Sequence, residues 1–298
     1  MTIETSTLPL RSSFDLVTVG ALAVTILGWA SAFPAIRAGL TAFGPLELGS
    51  LRFTIAAVPA AILLLILRPH KPTKAEFGRL ALGGFIFAAV YTVVLNIGEQ
   101  TVSSGAASFI VNVSPIITAL LAMTLLGEKF GLKAWIGTAL SFAGIGLVAL
   151  SDGSELQINF GVLFILVAAI CTALDPIVRK PLFARHRPLV VSAWTMLFGA
   201  LFLAPGLPHG LAEFAVAAPS AKFAAVYLGI VPSFIAYASW TVTISRLPAS
   251  RAANFLYCVP PTATLIGFLW LGETPTLLGI AGGFMALAGV AIVNLRSR

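Results

Sequence analysis

The side chains of this sequence that could do chemistry are polar and aromatic groups set inside long apolar runs. Ser108 and Asn112 share a helical face at a spacing of four, and Asn254 and Tyr257 share one at a spacing of three. Each pair either lines a cavity or ties two helices together by hydrogen bonds of about 0.6–2 kcal/mol. Trp29 and Phe33 stand four apart, Ser233, Tyr237 and Trp240 share another face, and Tyr91 and Trp194 lie within apolar segments. Trp and Tyr of membrane helices gather at the lipid–water interface, so rings at mid-depth serve either packing or a wall on which a flat molecule stacks. Asn, Ser and Thr side chains with unwound backbone would then hold a carboxylate and an ammonium. That chemistry is reversible recognition of a small amphipathic molecule.

Catalytic chemistry finds little to work with. His70, His186 and His209 fall in polar connections, where solvent-exposed side chains are expected, and their spacing forms no metal site. Cys171 and Cys258 lie in apolar runs and read as small apolar residues. No metal and no cofactor is expected. A membrane-embedded enzyme would need convergent nucleophiles, acids or metal ligands, and a channel would need a ring of carbonyls or charges; both remain as alternatives of another class. Charges inside the apolar runs are few. Asp175 stands before Pro176, Glu99 closes one run, and Arg52 lies about two turns into another, where it either reaches outward or pairs with an acid. With no acid at mid-depth, the sequence favours facilitated movement over proton coupling, and proton coupling through Asp175 is the alternative.

The elements that must position these residues follow from composition. Of 298 residues only 10% are charged while 58% are apolar, against about 25% charged in soluble domains. So few charges cannot cover a globule of this size in water, and lipid must be the main solvent. A span needs about 20 apolar residues, and ten segments qualify: 17–39, 46–67, 77–98, 104–126, 131–150, 159–178, 189–206, 221–245, 250–271 and 276–295. They are continuously apolar rather than alternating, which predicts an all-α integral membrane protein and not a barrel. Met1 to Asp15 reads as a tail and not as a signal peptide. With the N-terminus inside, 15 of the 18 Lys and Arg residues fall on the cytoplasmic side, leaving Arg37, Arg52 and Lys222 outside. The positive-inside rule therefore puts both termini in the cytoplasm. The basic residues sit in short loops beside the membrane, so no nucleic-acid partner is expected.

An internal repeat organises the ten spans. At a displacement of 145, Pro115 to Val148 falls on Pro260 to Val293 with ten identities in 34, among them Leu126-Gly127-Glu128 on Leu271-Gly272-Glu273. At 142, Pro34-Ala35-Ile36-Arg37 meets Pro176-Ile177-Val178-Arg179. The chain therefore reads as one integral domain of two repeats, 1–150 with helices 1–5 and 151–298 with helices 6–10. Five spans per repeat is odd, so the repeats are inverted, and inverted repeats place a site between the halves that opens to either face in turn. Pro34, Pro115, Pro176 and Pro260 mark expected bends in helices 1, 4, 6 and 9. Glu128 and Glu273 are expected to cap helices 5 and 10. Gly279 and Gly283 give a small-xxx-small spacing, read as packing within a monomer, with a weak dimer contact as the other option.

The segments "LRFTIAA" at 51–57, "SSGAASFIVNVSPIITALLAMTLLGEKFGLKAWIGTALSFAGIGLVAL" at 103–150 and "PPTATLIGFLWLGETPTLLGIAGGFMALAGVAIVNL" at 260–295 resemble the EamA-type members of the drug/metabolite transporter superfamily. The resemblance covers nearly the whole chain and is nearest to bacterial aromatic amino acid exporters of the YddG kind. It implies ten helices in a bacterial inner membrane and outward movement of small metabolites, aromatic amino acids first. A broad exporter of drugs or other amino acids, with proton coupling, is the alternative.

Overall fold

A computed structural model describes residues 15–114, 116–117, 132–151, 160–246 and 255–294. Every regular element among them is helical. The first span is two helices, α1 (Leu16–Ala30) and α2 (Ala32–Leu40). Pro34 has no N–H to give the carbonyl of Ala30, and the helix breaks at Ser31 between them. α3 (Pro45–Leu67) is continuous across its internal Pro59. α4 (Lys74–Gly83) passes through a π-helical segment, Gly84–Val90, into α5 (Tyr91–Gly98). α6 (Ser104–Val111) ends at Asn112, whose amide Nδ2 donates to the Ser108 carbonyl at 2.9 Å. α7 (Leu132–Ser151) and α8 (Phe160–Arg179) are unbroken, so the bend expected at Pro176 does not interrupt its helix. Asp175 and Arg179 pair four residues apart and clamp the turn on either side of that proline.

The remaining elements are α9 (Pro188–Leu203), α10 (Leu207–Val216), α11 (Pro219–Leu228), a second π segment (Gly229–Ile235), α12 (Ala236–Arg246), α13 (Val259–Leu271) and α14 (Leu277–Asn294). The second π segment stands 145 residues after the first, and α4, α5 and α7 begin 145 residues before α11, α12 and α14. Among the described residues, five stretches are long and apolar enough to cross a membrane: Leu16–Leu40, Pro45–Leu67, Lys74–Gly98, Pro188–Val216 and Pro219–Thr243. Shorter apolar helices join them at Phe160–Asp175, Leu256–Leu271 and Leu277–Gly289. The seventh expected span, 189–206, extends through a 3-10 turn into α10.

The inside and the outside are arranged for lipid. Large apolar side chains such as Leu16, Leu65, Ile66, Phe160 and Leu277 point outward. The fully covered positions are rich in Ala30, Ala35, Ala56, Ala88, Ala107, Ala168 and Ala263, with Thr25, Ser50, Thr92 and Ser141 among them. Lipid chains are as apolar as leucine, so helices associate through close backbone approach and shared hydrogen bonds. α7 and α14 show this most directly. Any side chain at Gly144 would collide with the backbone of Gly282 and Ala286, and any at Gly289 with that of Gly137 and Ser141. Ser141 Oγ donates to the Ala286 carbonyl at 2.8 Å. The contacts exchange under the 145-residue displacement and run in opposite directions, so the two helices cross antiparallel about an approximate twofold axis. Gly283 packs on the ring of Phe109, inside the bundle.

Candidate functional site

A cavity of about 120 Å³ opens where the interrupted helices meet. The α1–α2 break turns Trp29, Phe33 and Ile36 toward it. From α3 come Arg52 and Phe53, from the first π segment Phe87, and from α5 Tyr91, Thr92 and Leu95. The end of α6 presents Val111 and Asn112, with Ser114 beyond. The other half adds Thr172 of α8, Tyr237 of α12, and Leu256 and Val259 around the start of α13. The rings form a connected box. Phe87 stacks on Tyr91 at 5.2 Å and meets Tyr237 edge-on at 5.2 Å, while Trp29 stands 5.5 Å from Tyr237. Offset and edge-on pairs at these separations hold one another in place, so the wall is stiff before anything binds.

The sequence-derived residues divide. Trp29, Phe33, Tyr91, Asn112 and Tyr237 line the cavity. Trp240 stands behind the wall, packed on Trp29 at 5.5 Å beside Leu22 and Phe255. Trp194 lies apart, against Phe77 and Phe198 in a cluster with Leu80 and Leu182. Ser108 is fully buried and donates to the Gly105 carbonyl at 2.6 Å, so it serves the helix rather than the wall. Tyr257 sits in the 3-10 turn Leu256–Cys258, outside the wall that its neighbour Leu256 joins. Asn254, Pro115 and Glu128 lie outside the described residues. Pro260 occupies the first turn of α13, where the preceding 3-10 turn ends.

Arg52 is the residue whose placement the sequence reading misses. It neither reaches outward nor forms an ion pair among the described residues; only 7% exposed, it stands in the cavity wall. Its Nε donates to Ser233 Oγ at 2.6 Å. Ser233, inside the π segment that also contains Pro232, in turn donates to the Leu228 carbonyl at 2.8 Å. The π segment thus supplies both the kink and the anchor for the guanidinium. A charge two turns inside an apolar span is costly wherever it points, and that cost was the available signal.

The other buried charges, Glu99 apart, meet a charge of opposite sign. Arg179 pairs with Asp175 and lies over Phe87 and Tyr237 at 5.3 and 5.6 Å, beneath the aromatic box. At the face away from the start of α1, Arg37 Nε lies 2.7 Å from Glu273 Oε1 in an ion pair without linear hydrogen-bond geometry. Arg37 Nη1 donates to the carbonyls of Glu99 and Val102, each at 2.8 Å. Glu273 Oε2 accepts from the amide of Ser104 at 3.1 Å and from its hydroxyl. Glu273 therefore caps α6 rather than the helix that follows it, and Thr276 caps α14 through Gly279 at 2.9 Å. Both carboxylate oxygens of Glu99 are buried without a hydrogen-bond partner among the described residues. At the opposite face, Asp15 accepts from the Thr18 amide at 2.9 Å and pairs with Arg246 at 2.9 Å. These bonds, first to Thr18 and then to Arg246, hold the Asp15 carboxyl below the ordinary aspartate value of 3.8. His186, expected in solvent, is buried 3.4 Å from Glu76.

The comparisons with known proteins agree with this architecture. The model of the EamA-like transporter family matches the chain over residues 16–150 and again over 159–295. A protein of Streptantibioticus cattleyicolor described as a probable terminal-alkyne amino-acid exporter is 37% identical, over 94% of this chain and 94% of its own. An uncharacterized transporter of Bacillus subtilis, YdfC, is 34% identical over 90% of this chain and 88% of its own. A crystal structure shares the fold, with a TM-score of 0.63 at 20% identity over 94% of this chain and 98% of that one.

Proposed function

Because the chain belongs to the EamA-like transporter family, whose members move solutes and do not transform them, we propose that it exports amino acids with flat apolar side chains, the aromatic ones foremost. The observation that carries this reading is the ring box of Trp29, Phe87, Tyr91 and Tyr237 around a cavity between the halves. A planar side chain gains stacking area there that an aliphatic one does not. The relative from Streptantibioticus, named as a probable terminal-alkyne amino-acid exporter, supports an amino acid as the solute; the ring preference rests on the box alone.

Alternating access is the mechanism that suits the site. The two matched ranges and the antiparallel crossing of α7 and α14 support two inverted repeats, and rocking one against the other exposes the cavity to each face in turn. The basic loops support a bacterial inner-membrane protein with both termini cytoplasmic. No carboxyl lines the cavity among the described residues, which supports facilitated movement down a gradient. The buried, unpartnered Glu99 favours a second reading, in which a proton accompanies the substrate.

The test is efflux of labelled phenylalanine and tryptophan from proteoliposomes, with and without a pH gradient. Saturable efflux that ignores the gradient is the expected result. Efflux that collapses with the gradient replaces facilitation by proton coupling, and absence of aromatic flux removes the proposed substrate.

A further inference from the structure

Five arginines make the informative contacts of this molecule, and four of them meet a carboxylate. Arg179 has Asp175, Arg37 has Glu273, Arg185 has Glu76 and Arg246 has Asp15. Arg52 has a serine hydroxyl. It is also the one of the five that stands in the cavity wall. Its Nη1 and Nη2 make no hydrogen bond among the described residues, and neither atom is fully buried. Glu99, the nearest acid whose charge acts on it, forms no ion pair with it, and the other groups facing it are the phenols of Tyr91 and Tyr237. A guanidinium taken out of water without an anion costs several kcal/mol. The same planar fork binds a carboxylate through two parallel hydrogen bonds, which restores that cost. Ser233, itself bonded within the π segment to the Leu228 carbonyl, holds Nε, which fixes the guanidinium in the cavity wall.

We propose that Arg52 is the carboxylate-binding residue of the transported molecule, and that this carrier recognises its substrate by the acid group and the ring, not by the amine. The absence of Asp and Glu from the described cavity wall is the other half of the argument, since an ammonium there meets only Asn112, Thr92, Ser114, Thr172 and phenol oxygens. Neutral acceptors of that kind tolerate an ammonium and equally tolerate its removal. An arylalkanoic acid therefore fits as well as the amino acid, and an arylalkylamine does not. The inference deepens the aromatic-export reading and rests on it for the identity of the cavity.

Direct binding to the purified full chain in lipid nanodiscs tests it with four probes: L-phenylalanine, 3-phenylpropionate, phenethylamine and hexanoate. Phenylalanine and phenylpropionate are expected to bind within about threefold of each other, and phenethylamine at least tenfold more weakly. Arg52→Gln should lose at least tenfold for both acids, and Arg52→Lys should recover part of that loss as a point charge. Phenethylamine binding as tightly as phenylpropionate overturns the assignment, as does unchanged acid binding by Arg52→Gln with wild-type thermal stability. Should that variant fail to insert, the wild-type comparison of acid with amine decides by itself. Hexanoate binding as tightly as phenylpropionate supports the role of Arg52 and overturns the aromatic reading. Binding of none of the carboxylates overturns both.

Discussion

Trp29 and Trp194 are the same residue type, each within an apolar helix, yet one faces the cavity and the other packs among phenylalanines. Trp29→Ala is expected to cut aromatic flux at least tenfold while the protein still inserts. Trp194→Ala should instead lower stability by about 1–3 kcal/mol and leave substrate affinity alone; flux assays beside thermal unfolding separate the two. Sequence periodicity assigns a residue to a helix face but not the direction of that face. That is why Asn112 and Tyr237 are legible as cavity residues while Trp194 and Ser108, read by the same rule, turn out to serve packing and the helix backbone. Arg52 was readable as expensive, but its outlet depends on Ser233, which lies 181 residues away in the chain. Asp15 offers a pH test at this scale. Its carboxyl is held below 3.8, so its stabilisation is complete above about pH 4 and is lost as the pH falls through the lowered value. Asp15→Asn should therefore melt earlier than the wild type at pH 7, with the gap narrowing as the pH falls below 3.8.

Prolines punctuate the helices through one missing bond each. Pro34 releases the Ala30 carbonyl and the helix parts there, and Pro260 follows the 3-10 turn that precedes α13. These breaks were legible because the residue itself removes the donor. Pro176 carries the same deficit without an interruption, since the Asp175–Arg179 pair spans it, and a pair of that kind depends on both partners being drawn inward. The π segments have no comparable sequence mark: one contains Pro232, and its counterpart Gly84–Val90 contains no proline at all. Restoring the donor with Pro34→Ala should stiffen the first span, raising the melting temperature while lowering the maximal rate of flux. Gly272 tells the complementary story at a helix end. It closes α13 at φ +69°, a left-handed conformation that costs a side-chain-bearing residue about 1–2 kcal/mol.

Across the whole molecule, ion pairs join the two halves at both ends. Arg37–Glu273 closes one face, and Asp15–Arg246 with Arg185–Glu76 the other. Glu273→Gln leaves Arg37 with two carbonyls and weakens the cap on Ser104, for an expected loss of about 1–3 kcal/mol, read as a melting temperature lower by a few degrees. The Leu-Gly-Glu echo is visible in the sequence, but the partner of Glu273 is not, because a carboxylate beside the following helix looks like a local cap until Arg37 and Ser104 fold against it. The crossing of α7 and α14 sets glycine against main chain on both sides, with the small Ser141 side chain bonded across it. Ordinary helix pairs interlock like cogs, ridge into groove, and slide only if side chains change rotamer. A seam with no cogs behaves as a plain bearing: it holds two bodies at a fixed distance and resists their turning very little. Gly289→Ala would put a tooth on that bearing against the main chain of Gly137 and Ser141, so a lower melting temperature is expected together with slower turnover, read by thermal unfolding beside the flux assay.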